Sequence, residues 1–168
     1  TENAKVAMQF NSYMEDTLRG VQNDFNSFAS SSYTRTFKIH VWDDNNGKPG
    51  NIIYTLEGQT IPADNKLNEF VLFLFDEEII VDDIFYIGWQ KQGSRDMLNV
   101  GYDVNRINKD KLFYIFSDQW KQSEFDGTVM IRPMFGKEIS TITSNKEQEI
   151  EKINFNIYPN PANDYLNV

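Results

Sequence analysis

Residues Phe37–Leu56 read FKIHVWDDNNGKPGNIIYTL, and the grammar of this stretch recurs along the chain. Phe37, Ile39 and Val41 alternate with Lys38, His40 and Trp42, the period of a strand with one buried face. The polar run DDNNGKPGN follows. In it Asn46-Gly47 supplies a residue free to take positive φ, and Pro49-Gly50 fits the central positions of a type II turn. Ile52, Tyr54 and Leu56 then restart the alternation. The segment is predicted to be a β-hairpin with an oxygen-rich tip.

Working outward, Val6, Met8 and Phe10 give a short first strand. Ser12–Gly20 is polar and reads as loop, and Val21–Phe28 reads as a weak strand. Glu69–Phe75 (EFVLFLF) is apolar after its first residue, the pattern of a middle strand covered on both faces. Asp76–Asp83 is acidic and reads as a turn at the sheet edge. Ile84–Gln90, Met97–Asp103, Leu112–Phe116 and Thr128–Met134 are further strands. Gly88 and Gly101 inside them suggest bulges or close packing by a neighbouring aromatic. No segment holds a helical period. About nine short strands separated by Gly, Asn and Asp turns argue an all-β fold. The expected arrangement is an antiparallel two-sheet jelly-roll-like β-sandwich with a C-terminal extended tail. Its expected core is Phe37, Ile39, Val41, Phe70, Leu72, Phe85, Ile87, Leu98, Val100, Val129 and Ile131.

The character changes at Gly136. Residues 1–136 form the expected sandwich module. Residues 137–153 are polar and charged, with almost no aromatic surface, and read as a linker. Aromatics return in 154–168, NFNIYPNPANDYLNV, which reads as the start of a second small unit.

The chain has 168 residues, a net charge of −9, a pI of about 4.6 and no cysteine. An acidic domain repels phosphate backbones and anionic bilayers, so neither nucleic acid nor a membrane surface is an expected partner. The longest apolar run, Phe70–Phe75, is far short of the ~20 residues that span a bilayer, so no membrane insertion is expected. No signal-peptide pattern opens the sequence; on this reading either the protein never had one or this segment begins downstream of it. The lack of cysteine excludes disulfides, thiol catalysis and zinc–thiolate sites without fixing the compartment.

No catalytic set emerges. His40 is the one histidine, and it is expected on the outward face of its strand. The acidic residues are paired in turns, where carboxylates are more often simply solvated than set facing each other across a cleft as a glycosidase requires. Nucleophile-elbow, phosphate-loop and metal-histidine spacings are missing. Trp42 shares the outward face of His40, and Trp120 lies in a polar stretch; the three form a candidate ligand-binding set able to stack on a sugar ring. Trp89 shares a face with Phe85 and Ile87 and reads as core. Asp43, Asp44 and Asn45, with the backbone around Gly47, offer hard oxygens of the kind Ca²⁺ prefers, although the distal bidentate Glu of an EF-hand loop is missing. The alternative is a turn in which these side chains cap their own backbone. No other cofactor is expected.

Tyr158-Pro159-Asn160-Pro161, followed by Tyr165-Leu166-Asn167-Val168, resembles the opening of the C-terminal sorting domain of Bacteroidetes proteins exported by the type IX secretion system. The body resembles a module placed just upstream of that signal, through Val41–Tyr54, Phe85–Gln90, Leu98–Asn105 and Val129–Gly136. The resemblance implies a secreted or outer-membrane-surface β-sandwich behind other domains of the same chain, engaging the secretion machinery through its tail. It carries no catalytic residues over. The expectation is a non-catalytic extracellular module with an adhesion, spacer or presentation role. The alternatives are a carbohydrate-binding module, with a glycan as partner, and a hydrolase.

Overall fold

Two long strands carry the fold. β1 (Lys5–Asp24) and β4 (Phe70–Lys91) pair antiparallel, from Lys5 opposite Gln90 to Asp24 opposite Phe70. The computed structural model describes residues 4–26, 36–63, 65–66, 68–93, 98–116 and 119–137. The tail from 138 onward, including Tyr158, Pro159, Asn160 and Pro161, lies outside the described residues.

The polar stretch Ser12–Gly20 and the acidic stretch Asp76–Asp83, read from sequence as loop and turn, are instead parts of these two strands. Each holds a place where the ladder slips. Ser12 faces Asp83 and Asp16 faces Val81, so residues 13–15 bulge from β1. Leu18 faces Ile79 and Gly20 faces Leu74, so residues 75–78, with Asp76, Glu77 and Glu78, bulge from β4. Bulges bend a strand and raise its twist. Between them, Leu18, Ile79 and Val81 still turn inward and are buried.

The ribbon thus divides the sheet into two halves. Around the first, β2 (Phe37–Asp44) pairs with β4, and β3 (Pro49–Gln59) pairs with β2. On the other side β6 (Leu112–Phe116) pairs with β1, and β7 (Gln119–Gln122) with β6. The strand order is β3-β2-β4-β1-β6-β7. In the second half β9 (Ile131–Phe135) flanks β1 opposite β4. β5 (Tyr102–Asp103) and β8 (Thr128–Val129) form a separate two-stranded ladder. The whole is a curled antiparallel sheet. Among the described residues the only helix is a single 3₁₀ turn, Lys109–Lys111.

The β2–β3 hairpin forms where expected, with different turn chemistry. Asn46 and Gly47 both have positive φ, 55° and 79°, the requirement of a type I′ turn, and the Asn45 amide donates to the Lys48 carbonyl at 2.8 Å. Pro49-Gly50 does not make the turn; it opens β3.

The main core lies between the two halves. Phe37 and Phe73 meet edge to face at 5.6 Å, and Phe85 and Phe135 at 6.1 Å. Of the expected core, Phe37, Ile39, Val41, Phe85, Ile87, Val129 and Ile131 are buried, while Leu98 and Val100 pack partly buried at its margin. Two assignments fail. Leu72 is 41% exposed, and Phe70 is half-buried beneath the Arg132 guanidinium, 3.8 Å from its ring centre. Only one face of Phe70–Phe75 is covered, so its unbroken apolar run does not mark a strand buried on both sides.

A second core occupies the opposite face of the first half. Ala7, Trp42, Tyr86 and Phe113 are buried there, with Ile84 and Trp120 against them. The cross-strand row Thr55, His40, Gly88, Ala7, Phe113, Gln122 runs through it. Its centre is Gly88 beside Ala7, and its flanks are aromatic. Three strands separate β2 from β7, a span of ~19 Å in a flat sheet. Yet the Trp42 and Trp120 rings meet edge to face at 5.4 Å, so the sheet curls toward this side. A Cβ on Gly88 would overlap the Val6 carbonyl and the Ala7 Cα. Gly101 is also tightly packed, against the Asp24 carboxylate and Met130 sulfur rather than an aromatic ring.

Ile87→Ala is expected to cost about 2–5 kcal/mol, as for buried aliphatics elsewhere. Gly88→Ala, though it adds one methyl, is expected to cost about 3 kcal/mol or more, because the obstacle is backbone that cannot rotate away. Urea unfolding of both variants checks this; a Gly88→Ala loss under about 1 kcal/mol would show that the ladder spreads freely there.

Candidate functional site

The structure separates the candidate residues from solvent. His40 is 3% exposed and Trp42 1%. Both point away from Phe37, Ile39 and Val41, as the alternation requires, but the face they point to is the second core. Trp120 lies on β7, not in a loop, and half-buried it serves as the cover over Trp42. The expected outward sugar platform is therefore corrected: Trp42, His40 and Trp120 do come together, as packed interior. Trp89 is buried in the main core, as expected.

His40 is held at both nitrogens. Its Nε2 lies 2.9 Å from Gln90 Oε1 and its Nδ1 2.8 Å from Thr55 Oγ1. The amide oxygen only accepts, so Nε2 carries the proton and Nδ1 accepts from the hydroxyl. Burial pushes the imidazole pKa below its usual value; Lys5 and Lys38 act in the same direction, while the bond to Gln90 opposes it. This is a neutral structural histidine.

The oxygen-rich hairpin tip is internally bonded. Asp43 Oδ1 accepts from the Asn51 amide at 2.6 Å, and its Oδ2 from Asn51 Nδ2 at 3.1 Å. Asp44 accepts from the Gly47 amide at 3.1 and 3.2 Å, and its Oδ1 also from the Tyr86 hydroxyl at 2.7 Å. Asn45 Oδ1 accepts from Asn46 Nδ2 at 3.0 Å. Each side-chain oxygen of Asp43, Asp44 and Asn45 thus already holds a protein donor. Among the described residues no three His, Cys, Asp or Glu side chains gather as a metal site.

The recess best built to take a ligand lies elsewhere, and the sequence reading passed over it. A groove of about 660 Å³ opens at the margin of the main core. Its floor is the row Trp89, Val6, Tyr114 across β4, β1 and β6. Its walls carry Leu98, Tyr102, Ser123, Phe125 and Asp126. Phe125 is 75% exposed and Tyr102 39%, unusual for large aromatic groups. The wall is braced: the Tyr102 ring sits where a Gly127 side chain would be, and its hydroxyl donates to the Phe125 carbonyl at 3.1 Å. The Phe125 amide donates to Ser123 Oγ at 3.2 Å, the Ser123 amide to the Leu112 carbonyl at 2.7 Å, and Lys109 pairs with Asp126 at 2.6 Å. The sequence held one signal for this site, the aromatic of SEFDG standing alone among polar turn residues.

His40 makes stability depend on pH. Its folded pKa lies below the unfolded value of ~6.5, so the unfolded chain takes up the proton first. Its contribution is complete well above pH 6.5 and is lost as pH falls through that value. His40→Gln is expected to flatten the stability slope between about pH 7.5 and 5.5, a range chosen to bracket the free histidine. Urea midpoints at each pH check it, and parallel slopes for both proteins would refute it.

Comparison of the chain with known protein families, with curated proteins and with solved structures finds no match in any of the three.

Proposed function

We propose that this chain is a non-catalytic binding module of a larger secreted or surface-anchored protein, and that its recognition surface is the Tyr102–Phe125 groove. The braced, exposed Phe125–Tyr102 wall is the observation that carries this reading. Exposed aromatic faces beside a hydroxyl and a carboxylate match the alternating apolar faces and polar edges of a sugar ring. A glycan is therefore the ligand class the groove fits, and adhesion or presentation of neighbouring domains is the corresponding role. Among the described groove-lining residues Asp126 is the single carboxylate, and it is already paired with Lys109. Hydrolysis of a glycoside ordinarily takes two facing carboxylates, which favours binding over turnover. The two facing halves and their interlocked phenylalanines support a jelly-roll-like two-sheet sandwich as the finer description of the fold.

A glycan array probed with the purified domain tests the ligand class. Binding to a restricted set of sugars, weakened at least tenfold by Phe125→Ala with an unchanged melting midpoint, is the expected outcome. Silence across the array, or retention of binding by the variant, removes the groove from consideration. Surface delivery is tested separately. Deleting residues 154–168 from the full-length protein is expected to leave the domain folded and to stop its appearance at the cell surface; normal delivery would dismiss the sorting role of the YPNP segment.

A further inference from the structure

Among the described residues the sheet has four outer edges, and three are blunted. β3 slips against β2 at three places, each leaving an extra residue on β3; Phe37 faces Gln59, for example, while Ile39 faces Leu56. β9 carries Pro133, and β7 is four residues long. Bulges, proline and shortness are the usual guards against strand addition. The fourth edge, Phe70–Phe75 of β4, has none of them. It holds no charge, proline or glycine, and its register against β1 is unbroken from Phe70 to Leu74. Among the described residues it pairs with β1 alone, since β2 reaches β4 only at Phe85–Lys91.

The direction of the backbone follows from the ladder. The Phe73 carbonyl lies against Gly20 of β1. Alternation then turns the N–H and C=O groups of Leu72 and Leu74 away from β1, along the open side. Leu72 also presents its side chain, 41% exposed. Tyr54 closes one end of this edge. Its ring packs on Phe75 at 4.6 Å, its hydroxyl accepts from the Asp76 amide at 3.2 Å, and it donates to Asp76 Oδ1 at 2.6 Å. The open length therefore takes a strand of roughly five or six residues.

Charge selects the occupant. Glu69 precedes the edge, and Asp76, Glu77 and Glu78 follow it, Glu78 being paired with Arg19 at 2.7 Å. A second copy adding antiparallel would set Glu69 of one chain beside the acidic run of the other, and a chain of net charge −9 repels its twin. We propose that the outer edge of Phe70–Phe75 receives an extended peptide strand from another protein, with β-branched residues at its centre and Lys or Arg at its ends. Backbone pairing supplies the affinity, Leu72 contributes apolar contact, and the acidic flanks select basic ends.

The test uses the full chain and three fluorescent peptides: acetyl-KVTVTVK-amide, the same core with Glu ends, and the Lys-ended peptide N-methylated at alternate residues. The Lys-ended peptide is expected to bind at least tenfold more tightly than either of the others. Hydrogen exchange at the Leu72 and Leu74 amides should slow at least tenfold on its addition. Equal binding of the methylated peptide would reduce the effect to surface charge and overturn strand addition. Equal binding of the Glu-ended peptide would overturn the charge selection. Slow exchange at Leu72 and Leu74 in the dilute, peptide-free chain would show the edge already paired within the chain, and protection rising with protein concentration would give it to a second copy. Either result, like the lack of any binding, defeats the proposal.

Discussion

The contact between Gly88 of β4 and the Val6–Ala7 backbone of β1 is the constraint on which the architecture depends. A side chain at position 88 would hold the two longest strands apart where β2 and β6 flank them, near one end of their shared ladder. With only glycine and alanine there, the sheet bends around a thin axis and its aromatic flanks close over that axis. The curl brings Trp42 to Trp120 across three intervening strands, and it leaves the other face of the same strands free to meet the second half through Phe37 and Phe73. Both cores thus rest on one close approach of backbone to backbone.

How much of this was legible follows from what each signal measures. Alternation in Phe37–Val41 and the Asn46-Gly47 pair are local, and the hairpin they predict is present. Alternation also assigned His40 and Trp42 to one face correctly. What it could not supply was the cover for that face, because Trp120 lies far along the chain and reaches Trp42 only through the curl. A period of two reports which residues share a side of a strand; whether that side is wet is a tertiary fact. The groove was illegible for the same reason, since its floor comes from three strands and its walls from two later segments.

The long strands were missed for a different reason. Asp76, Glu77 and Glu78 carry the composition of a turn, and Ser12–Gly20 that of a loop. Both segments stay in the ladder because the residues out of register project as exposed bulges, the acidic Asp76, Glu77 and Glu78 in β4 and Tyr13, Met14 and Glu15 in β1, while Leu18, Ile79 and Val81 keep the inward positions. Composition averaged over such a window records the bulge and hides the strand. The EFVLFLF run shows the converse error: continuous apolarity describes an edge with one covered face.

The position of β1 in this pairing scheme bears on the order of events during synthesis. Its partners are β4, β6 and β9, so its residues wait for Phe70–Lys91 and then for residues beyond 112. At a ribosomal speed of about 5–20 residues per second, the first strand remains without a partner for several seconds. β1 has no sequence-local partner on which to nucleate, and the closing steps join segments far apart in sequence, the situation in which folding is slow. The nascent chain accordingly keeps its central strand unpaired for longer than a protein built from neighbouring hairpins.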